Sequence, residues 1–326
     1  MAMVIRTKAL RKTYKVTKKQ PGFVGTVKGL IRPQYDEVEA VKGIDLEIAK
    51  GEIVGFLGPN GAGKTTTIKM LSGIMHPTSG EATVLGFEPW KRNPEMLRRI
   101  ALVMGNKQQL WWDLPAIESF NVLRVLYDVP DSEYKARLDF LAEQLQLKDK
   151  LDTQVRKLSL GERMKCELVA ALLHQPEVVF LDEPTIGLDL VSQKRIREFL
   201  RDLNRQTQCT IVLTSHYMQD VQELAQRVVV IDHGSLVFDG DFNQLVGLYG
   251  ADKQLRLTFG GTDPLPDLSS FGSVLASEGR EATISVPKAQ VTQAASQILQ
   301  SFSVIDIAVE EVSVDEVVRR LFEQGR

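Results

Sequence analysis

The chain has 326 residues, of which 40 are basic and 42 acidic, so its formal net charge is -2. Hydrophobic residues make up 43% and charged residues 25%, ordinary globular values that exclude a wholly disordered chain. A nearly neutral chain is not expected to coat nucleic acid, and no apolar run approaches the roughly 18 residues of a membrane-spanning helix. Two cysteines cannot build a disulfide framework, and the first residues lack the features of a secretory signal, so we expect a reducing, cytoplasmic setting.

The first 35 residues carry nine basic and no acidic side chains. A short β-like start at Val4–Ala9 leads into a segment rich in proline and glycine, which predicts a basic, loop-like insertion at about residues 15–38. From residue 40 onward, short apolar runs alternate with helical patterns, which predicts a mostly parallel sheet covered by helices on both faces. Strands are expected at Val41–Ile48, Gly51–Gly58, Ile100–Met104, Val178–Leu181, Ile211–Thr214 and Val228–Ile231. Helical segments are expected at Thr65–Leu71, Ile117–Lys150, Glu162–Leu173, Val191–Leu203 and Met218–Ala225.

The pattern changes after about residue 240, where strict alternation and one more helical period predict a small α+β unit. Its elements are expected at Leu255–Phe259, Ala282–Val286, Val291–Phe302, Val304–Val309 and Ser313–Glu323. The chain is therefore expected to consist of an α/β domain over residues 1–240 and an accessory domain over residues 241–326.

A glycine-rich segment between a predicted strand and a predicted helix fits the pattern G-x-x-x-x-G-K-[ST]. It comprises Gly58, Pro59, Asn60, Gly61, Ala62, Gly63, Lys64 and Thr65. Glycines let the backbone N–H groups curve around a polyphosphate, and the following helix adds the positive end of its dipole. Lys64 is predicted to reach the β- and γ-phosphates, Thr65 to ligate Mg²⁺, and Thr66 to complete the phosphate-binding set. A chance glycine-rich turn is the alternative, and the strand–loop–helix context disfavours it.

An apolar strand at Val178–Leu181 ends in two carboxylates, Asp182 and Glu183. Ligands of parallel sheets lie beyond the carboxyl ends of the strands, so both side chains are expected at the same site as the phosphate loop. Asp182 is predicted to hold Mg²⁺ and Glu183 to polarise the water that attacks the γ-phosphate. The alternative is an acidic pair that merely ends the strand and caps a helix.

Three further segments complete a resemblance to a known family. Leu158–Arg163 is similar to the LSGGQ signature, Gly187–Asp189 to the loop that links two protomers, and Thr214–His216 to the histidine switch. Together with the phosphate loop and the acidic strand end, they follow the order and approximate spacing of the nucleotide-binding subunit of ATP-binding cassette (ABC) transporters. The stretch Trp111–Ser119 and the C-terminal unit resemble those of multidrug, polysaccharide and antibiotic exporters whose permeases belong to the second permease class.

The resemblance implies a P-loop NTPase cassette, in which a mostly parallel sheet is joined by an antiparallel β part and by a helical subdomain at about residues 112–172. It implies ATP and Mg²⁺ as cofactors and a head-to-tail dimer with a second copy of the chain. ATP would be held between the phosphate loop of one copy and the signature of the other, where Ser159, Gly161 and Glu162 would contact the nucleotide. Asp189 would lie in the loop that joins the two copies.

The resemblance also implies roles for one tyrosine and one histidine. Tyr14 resembles the residue that stacks on adenine, and Tyr35 is its competitor because the basic insertion separates the two. His216 would contact the γ-phosphate.

The sequence departs from the family pattern in two places. Where the family has a glutamine that touches Mg²⁺ and the attacking water, this chain has Asn106, and Gln108 or Gln109 could substitute for it. In the signature, Leu160 replaces a glycine, and Glu162 replaces a glutamine, which brings an acid near phosphates unless Arg163 or another base offsets it.

The function that these features predict is ATP hydrolysis that powers a membrane exporter, by a peripheral subunit on the cytoplasmic face of the inner (plasma) membrane. Its partners would be one or two integral-membrane permease subunits and a second copy of the chain, with no nucleic acid. Trp111 and Trp112 are candidates for the groove that receives a permease helix, or they are core residues of the helical subdomain. The basic N-terminal face is a candidate for the side turned toward lipid headgroups or the permease, or it is a solvated loop.

Alternatives remain at this stage. An importer subunit carries a similar cassette, a soluble ABC ATPase acts on ribosomes or DNA, and a sensing module binds ATP without turnover. The transported substrate is expected to be a small hydrophobic or cationic drug, with a lipid-linked glycan as the alternative.

Overall fold

The computed structural model describes residues 2–17, 35–105, 107–215, 218–249, 252–261 and 265–311. The chain forms two compact units, Met1–Asp239 and Gly240–Arg326. Within the described ranges, no helix combines the length and the apolar character that crossing a membrane requires. Up to the boundary the strands are β1 (Met3–Thr17), β2 (Tyr35–Ala49), β3 (Ile53–Leu57), β4 (Ser79–Val84), β5 (Ile100–Met104), β6 (Val178–Asp182), β7 (Thr210–Thr214), β8 (Arg227–Asp232) and β9 (Ser235–Asp241). The helices are α1 (Lys64–Leu71), α2 (Pro94–Leu97), α3 (Ala116–Leu126), α4 (Asp131–Gln144), α5 (Leu160–Leu172), α6 (Leu190–Thr207) and α7 (Met218–Leu224).

The central sheet has the strand order β5-β6-β7-β3-β8-β9, and its first five strands pair in parallel. Strand β6 explains why the apolar run in the sequence is continuous. Val178 and Phe180 belong to one core cluster, Val179 and Leu181 belong to the other, and all four are 0% exposed. A strand buried on both faces has no polar side, as parallel sheets require. The predicted α/β fold with a mostly parallel sheet is confirmed, and the carboxyl ends of its parallel strands meet at one edge.

Strands β2, β1 and β4 form a separate antiparallel sheet. Strand β4 pairs with β1 only between Ile5 and Arg11, so β1 and β2 continue beyond Arg11 as a two-stranded ribbon that reaches Thr17 and Tyr35. Residues 18–34, which make up most of the predicted basic insertion, lie outside the described residues.

Basic residues of β1 lie opposite acidic residues of β2. Arg6 Nε is 3.5 Å from Glu47 Oε1, and Arg11 Nη1 is 3.8 Å from Glu39 Oε1. Exposed pairs of this kind stabilise a fold only slightly, but they offset local charge. Two of the basic side chains of the N-terminal segment are thus paired with acids of β2, and the basic face expected from the first 35 residues stays a prediction.

The mostly helical stretch predicted at residues 117–150 contains two helices, α3 and α4. Asp128 adopts a left-handed conformation, with φ of 53°, and Pro130 occupies the N-cap position of α4. The helices pack their apolar sides, including Phe120 and Leu141, onto α5 and onto the face of the sheet that carries Leu181. This helical subdomain places the N-terminus of α5 near the surface, as the exposed Leu160 shows.

The second unit contains α8 (Phe242–Tyr249), β10 (Asp252–Phe259), β11 (Ser273–Glu278), β12 (Glu281–Pro287), α9 (Val291–Ser301) and β13 (Val304–Glu311). Its sheet is antiparallel with the order β11-β12-β10-β13. Leu255 and Leu257 of β10, Ile284 of β12 and Ile298 of α9 form its core and are 0% exposed. The helix predicted at Ser313–Glu323 lies outside the described residues.

Candidate functional site

The glycine-rich loop runs from the end of β3 into α1, and two of its glycines are sterically required. Gly58 has φ of 151°, and a Cβ there would lie 2.1 Å from the carbonyl oxygen of Ile231. Gly63, the N-cap of α1, has φ of 109°, and a Cβ would lie 2.4 Å from the carbonyl oxygen of Ala40. Because any side chain would collide with backbone at both positions, the loop is packed between β8 and β2, and its remaining residues form an open cradle at the helix N-terminus.

Lys64 is 5% exposed and lies inside this loop. Its Nζ donates hydrogen bonds to the carbonyl oxygens of Gly58, at 2.6 Å, and Pro59, at 3.0 Å. Burial lowers the pKa of the Lys64 ammonium from its ordinary value, while Glu183 and Asp182 act in the opposite direction. A buried ammonium at the positive end of a helix is suited to a polyphosphate, and the two nearby carboxylates are suited to a metal ion bound with it.

Asp182, at the carboxyl end of β6, is the centre of the hydrogen bonding at this edge of the sheet. Its Oδ1 accepts hydrogen bonds from Thr65 Oγ1, at 2.8 Å, and from Thr214 Oγ1, at 2.7 Å. A carboxylate and hydroxyls are hard oxygen ligands of the kind that Mg²⁺ prefers, so the residues present fit that ion. Thr214 was not among the predicted site residues, and the signal that points to it is its position at the end of the neighbouring strand, β7.

Glu183 follows Asp182 and is half-buried in a left-handed conformation, with φ of 56°. Its backbone N–H donates to the carbonyl oxygen and to Oγ1 of Thr214, both at 3.1 Å. Gly105 lies so near that a Cβ there would be 2.4 Å from the carbonyl oxygen of Glu183. A left-handed glutamate is uncommon, and such residues are concentrated at functional sites. The segment after β5 therefore begins directly beside Glu183.

Two of the predicted catalytic residues, Asn106 and His216, lie outside the described residues. Of the residues that could substitute for Asn106, Gln109 donates from Nε2 to the carbonyl oxygen of Leu102, at 2.7 Å. Gln108 is exposed. The Gln109 amide therefore fixes its own loop, which leaves Asn106 or Gln108 as the predicted contact to the attacking water.

A buried carboxylate that the sequence analysis did not single out holds the same loop. Glu167 of α5, 3% exposed, accepts from the backbone N–H groups of Gln109, at 2.9 and 3.2 Å, and Leu110, at 3.3 Å. Burial raises the pKa of the Glu167 carboxyl, and the two N–H groups oppose that effect. Glu167 thus ties the helix of the signature to the loop after β5.

The signature forms a second cluster around the start of α5. Ser159 and Glu162 make a capping box, in which Ser159 Oγ accepts from Glu162 N–H, at 3.2 Å, and Glu162 Oε2 accepts from Ser159 N–H, at 2.9 Å. The Ser159 backbone holds the pKa of the Glu162 carboxyl below its usual value, and Lys150, 3.3 Å away, contributes. Arg163 instead stacks over Trp112, with its guanidinium carbon 4.6 Å from the ring centroid. The base that offsets Glu162 is therefore Lys150, and Trp112 is engaged within the helical subdomain.

Gly161 joins this cluster to the loop before α6. A Cβ at Gly161 would lie 2.6 Å from Ser192 Oγ, and Asp189 caps α6 by accepting from Ser192 N–H, at 2.9 Å. Nearby, Leu190 and Val191 are 75% and 79% exposed. The signature and the Asp189 loop thus form one surface, joined at Gly161 and Ser192.

The register of β1 and β2 separates the two tyrosines considered for adenine stacking. Tyr14 pairs with Val38, two residues before Ala40, which contacts the phosphate loop at Gly63. Tyr35 is five residues from Ala40, about 16 Å along a strand, at the far end of the ribbon. Tyr14 thus lies nearer the phosphate loop than Tyr35 along the ribbon, and its hydroxyl donates to the sulfur of Met75, at 3.0 Å; adenine stacking by Tyr14 stays a prediction.

Both units match known protein families. Residues 41–186 match the family described as ABC transporter, and residues 251–310 match the one described as EvrA-like ABC transporter, C-terminal domain. The chain is 36% identical over 222 residues to the ABC transporter ATP-binding protein NatA of Bacillus subtilis (strain 168), which covers 68% of this chain and 89% of the relative. It is 35% identical over 231 residues to the linearmycin resistance ATP-binding protein LnrL of the same organism, which covers 71% of this chain and 74% of the relative.

A solved structure shares the fold at lower sequence identity. It is a dimeric, post-hydrolysis state of an ATP-binding cassette bound to ADP and Pi. The TM-score is 0.60 at 22% identity, over 73% of this chain and 98% of the other. At this identity the similarity concerns the fold alone.

Proposed function

The chain belongs to the ATP-binding proteins of the ABC transporter family, and on that premise we propose that its site hydrolyses ATP to drive a membrane exporter. ATP-binding subunits of this family dimerise and work with membrane permeases. The observation that carries the proposal is the hydrogen bonding of Asp182 Oδ1 to Thr65 and Thr214, next to the buried Lys64. A structural loop would not need a buried ammonium, two acids and a helix N-terminus at one point.

Each residue of this group has a proposed task. The backbone N–H groups of the loop from Gly58 to Thr66 and the Lys64 ammonium bind the phosphates. Thr65 and Asp182 would hold Mg²⁺, which supplies charge neutralisation at the β- and γ-phosphates. The Glu183 carboxylate accepts a proton from the attacking water. Thr214, at the end of the adjacent strand, holds the Glu183 backbone in place for this task. His216 and Asn106 are proposed, from their sequence positions, to contact the γ-phosphate and the attacking water.

The second cluster is proposed to serve the site of another copy of the chain. Ser159, Gly161 and Glu162 present a helix start at the surface, and Asp189 lies in the adjoining loop. The exposed side chains of Leu190 and Val191 support a partner that covers this surface, since large apolar groups side by side in solvent mark interaction sites. The dimer is proposed to be head-to-tail, with one or two permease subunits bound to it.

A groove of about 440 Å³ on the helical side of the first unit is the proposed docking site for a permease helix. Its lining includes Ile74 after α1, Leu102 of β5 and Tyr127 after α3. Ile74 is 57% exposed, and the loop fixed by Gln109 and Glu167 forms one wall. Movement of a helix in this groove would therefore reach the residues that precede and follow Asn106.

Export is favoured over import by the linearmycin resistance relative, since resistance to a compound is consistent with its removal from the cell. A small hydrophobic or cationic drug is the proposed substrate, and the permease would select it. The proposed location is the cytoplasmic face of the inner membrane, as a peripheral subunit.

The Ile74→Arg variant tests the permease interaction. Placing a charge on the apolar wall of the groove is expected to abolish co-purification of an integral-membrane protein, identified by mass spectrometry of detergent extracts. ATP turnover of the isolated chain should be retained, because Ile74 lies outside the phosphate loop. Val237→Arg is the control, since Val237 is 41% exposed on β9 and does not line the groove. If no membrane protein accompanies the unaltered chain, the transport function is wrong.

A further inference from the structure

Polar side chains recur at every fourth position along α6 and its N-cap. They are Asp189, Gln193, Arg197 and Arg201. Residues four apart lie above one another on a helix, so these side chains form one stripe along its side. Gln193 and Arg197 are 5% and 3% exposed, which is rare for polar residues without fixed partners.

The first half of the stripe holds the loop between the acidic strand end and α6. Gln193 Nε2 donates to the carbonyl oxygens of Leu188, at 3.1 Å, and Thr185, at 3.4 Å. Asp189 accepts from the backbone N–H and hydroxyl of Ser192 at the first turn, at 2.9 and 2.7 Å. The backbone between Glu183 and Asp189 is therefore attached to α6 at Thr185 and Leu188.

The second half holds α7 through a buried ion pair. Arg197 Nη1 is 2.8 Å from Asp220 Oδ1, and Arg197 Nε is 2.9 Å from Glu223 Oε2. The side chains of Arg197 and Asp220 are 4% and 1% exposed. Arg201 adds a bond from Nη2 to the carbonyl oxygen of Glu223, at 2.8 Å. A guanidinium fork that binds two carboxylates at once fixes both their distance and their orientation.

The other oxygen of Asp220 reaches the two segments that lead to the proposed catalytic residues. Asp220 Oδ2 accepts from Ser215 Oγ, at 2.7 Å, and from Thr185 Oγ1. Ser215 directly precedes His216, and Thr185 follows Glu183 by two residues. One buried carboxylate thus joins the segment before the histidine to the segment after the glutamate.

We propose that Asp220 and Arg197 are positioning residues for ATP hydrolysis, which hold the Glu183 and His216 segments in a fixed relation and tie that relation to α6. Because α6 begins at Asp189, on the surface proposed to meet the second copy, a shift of α6 on dimer formation would move both segments together. The inference rests on the proposed roles of Glu183 and His216. It requires no contact between Asp220 and the nucleotide.

Steady-state ATP hydrolysis by the purified chain, with the Asp220→Asn substitution, is the test. Asparagine keeps the shape of the side chain but removes the charge that faces Arg197. Since a small misplacement of catalytic groups can cost about 100-fold in rate, we expect kcat to fall by about 10- to 100-fold. The KM for ATP should change by less than about threefold, because the phosphate loop is untouched. Thr185→Val, which removes a single donor to Asp220, should give a smaller fall in kcat in a fully folded chain.

The matched control is Asp239→Asn, which breaks the pair of Asp239 with Arg227, at 2.7 and 2.9 Å. That pair lies in the same unit but touches neither segment. Asp239→Asn should lower the melting temperature and leave kcat unchanged. A normal kcat in both Thr185→Val and Asp220→Asn, or an equal fall in Asp239→Asn, would overturn the inference. Failure of the proposed function is separate, because it would show as absence of ATP turnover in the unaltered chain.

Discussion

The hydroxyl of Thr214 makes two hydrogen bonds at this site, one as donor and one as acceptor. It donates to Asp182 Oδ1, at 2.7 Å, and its oxygen also accepts from the backbone N–H of Glu183, at 3.1 Å. The side chain that would hold the metal and the backbone of the proposed base therefore share one partner. Removing that partner would loosen both at once.

We expect Thr214→Val to lower kcat by about 10- to 150-fold, because a hydrogen bond to a charged group contributes about 1.5–3 kcal/mol and about 1.36 kcal/mol corresponds to a factor of ten. The KM for ATP should stay within about threefold. Thr210→Val is a matched control, since Thr210 is also fully buried on β7 but bonds to Gly51 N–H, at 2.9 Å, at the other end of the strand. Equal kcat values for the two variants would contradict the role given to Thr214.

At the scale of residues, the sequence predicts what local spacing determines. The phosphate loop and the acidic strand end are contiguous segments, so Lys64, Asp182 and Glu183 could be assigned to one site from the pattern alone. The sequence named Thr214 only as the start of the histidine-switch segment, and neither its bond to Asp182 nor the role of Glu167 could be predicted, because these partners depend on strand order and on the packing of α5 against the loop after β5. Arg163 is a second case in which sequence proximity does not identify the partner. It lies next to Glu162 in sequence, but Glu162 forms its ion pair with Lys150.

At the scale of elements, α5 begins with a capping box, and the stability that its acid, Glu162, contributes to the fold depends on pH. The Ser159 N–H lowers the pKa of Glu162 in the folded chain. A carboxyl with a lowered pKa stabilises the fold above its unfolded pKa of about 4.3, and that stabilisation is lost as the pH falls through the folded value.

The Glu162→Gln variant should therefore be less stable than the unaltered chain at neutral pH, and the difference in the free energy of unfolding should shrink below about pH 4. Urea unfolding at three pH values measures it. In Lys150→Met the pH dependence should persist, since the Ser159 backbone is the larger cause of the shift and an exposed ion pair contributes less than about 1 kcal/mol. A difference that does not vary with pH would show that the charge of Glu162 is not what stabilises the cap.

Elements were predictable where periodicity is strong. The central strands and α6 follow from apolar runs and helical spacing, because burial on both faces of the sheet leaves a continuous signal in β6. The lengths of β1 and β2 were not predictable. Their ribbon is held by hydrogen bonds between the two strands, and apolar and polar residues do not alternate regularly along it. The division at Asp128 was also not foreseen, although Pro130 is a local helix-stop signal within the stretch predicted as helical.

At the scale of the whole molecule, the functional groups divide between two surfaces of the first unit. The phosphate loop with Asp182 and Glu183 forms one, and the signature with Asp189 forms the other. An arrangement in which each surface completes the other's site requires two copies of the chain, and it explains why Leu190 and Val191 remain exposed in one copy. Overall charge could not reveal this, since a formal value of -2 averages over both surfaces.

The most direct test of the account is ATP turnover and oligomeric state measured together on Glu183→Gln. The glutamine keeps the size of the side chain and the backbone bond to Thr214 but cannot accept a proton from water. Loss of a general base costs about 100- to 10,000-fold in rate, so phosphate release should fall below about 1% of the normal value. Light scattering should show that ATP converts the variant into a stable dimer. Turnover at the normal rate, or no dimer in ATP, would contradict the central claim.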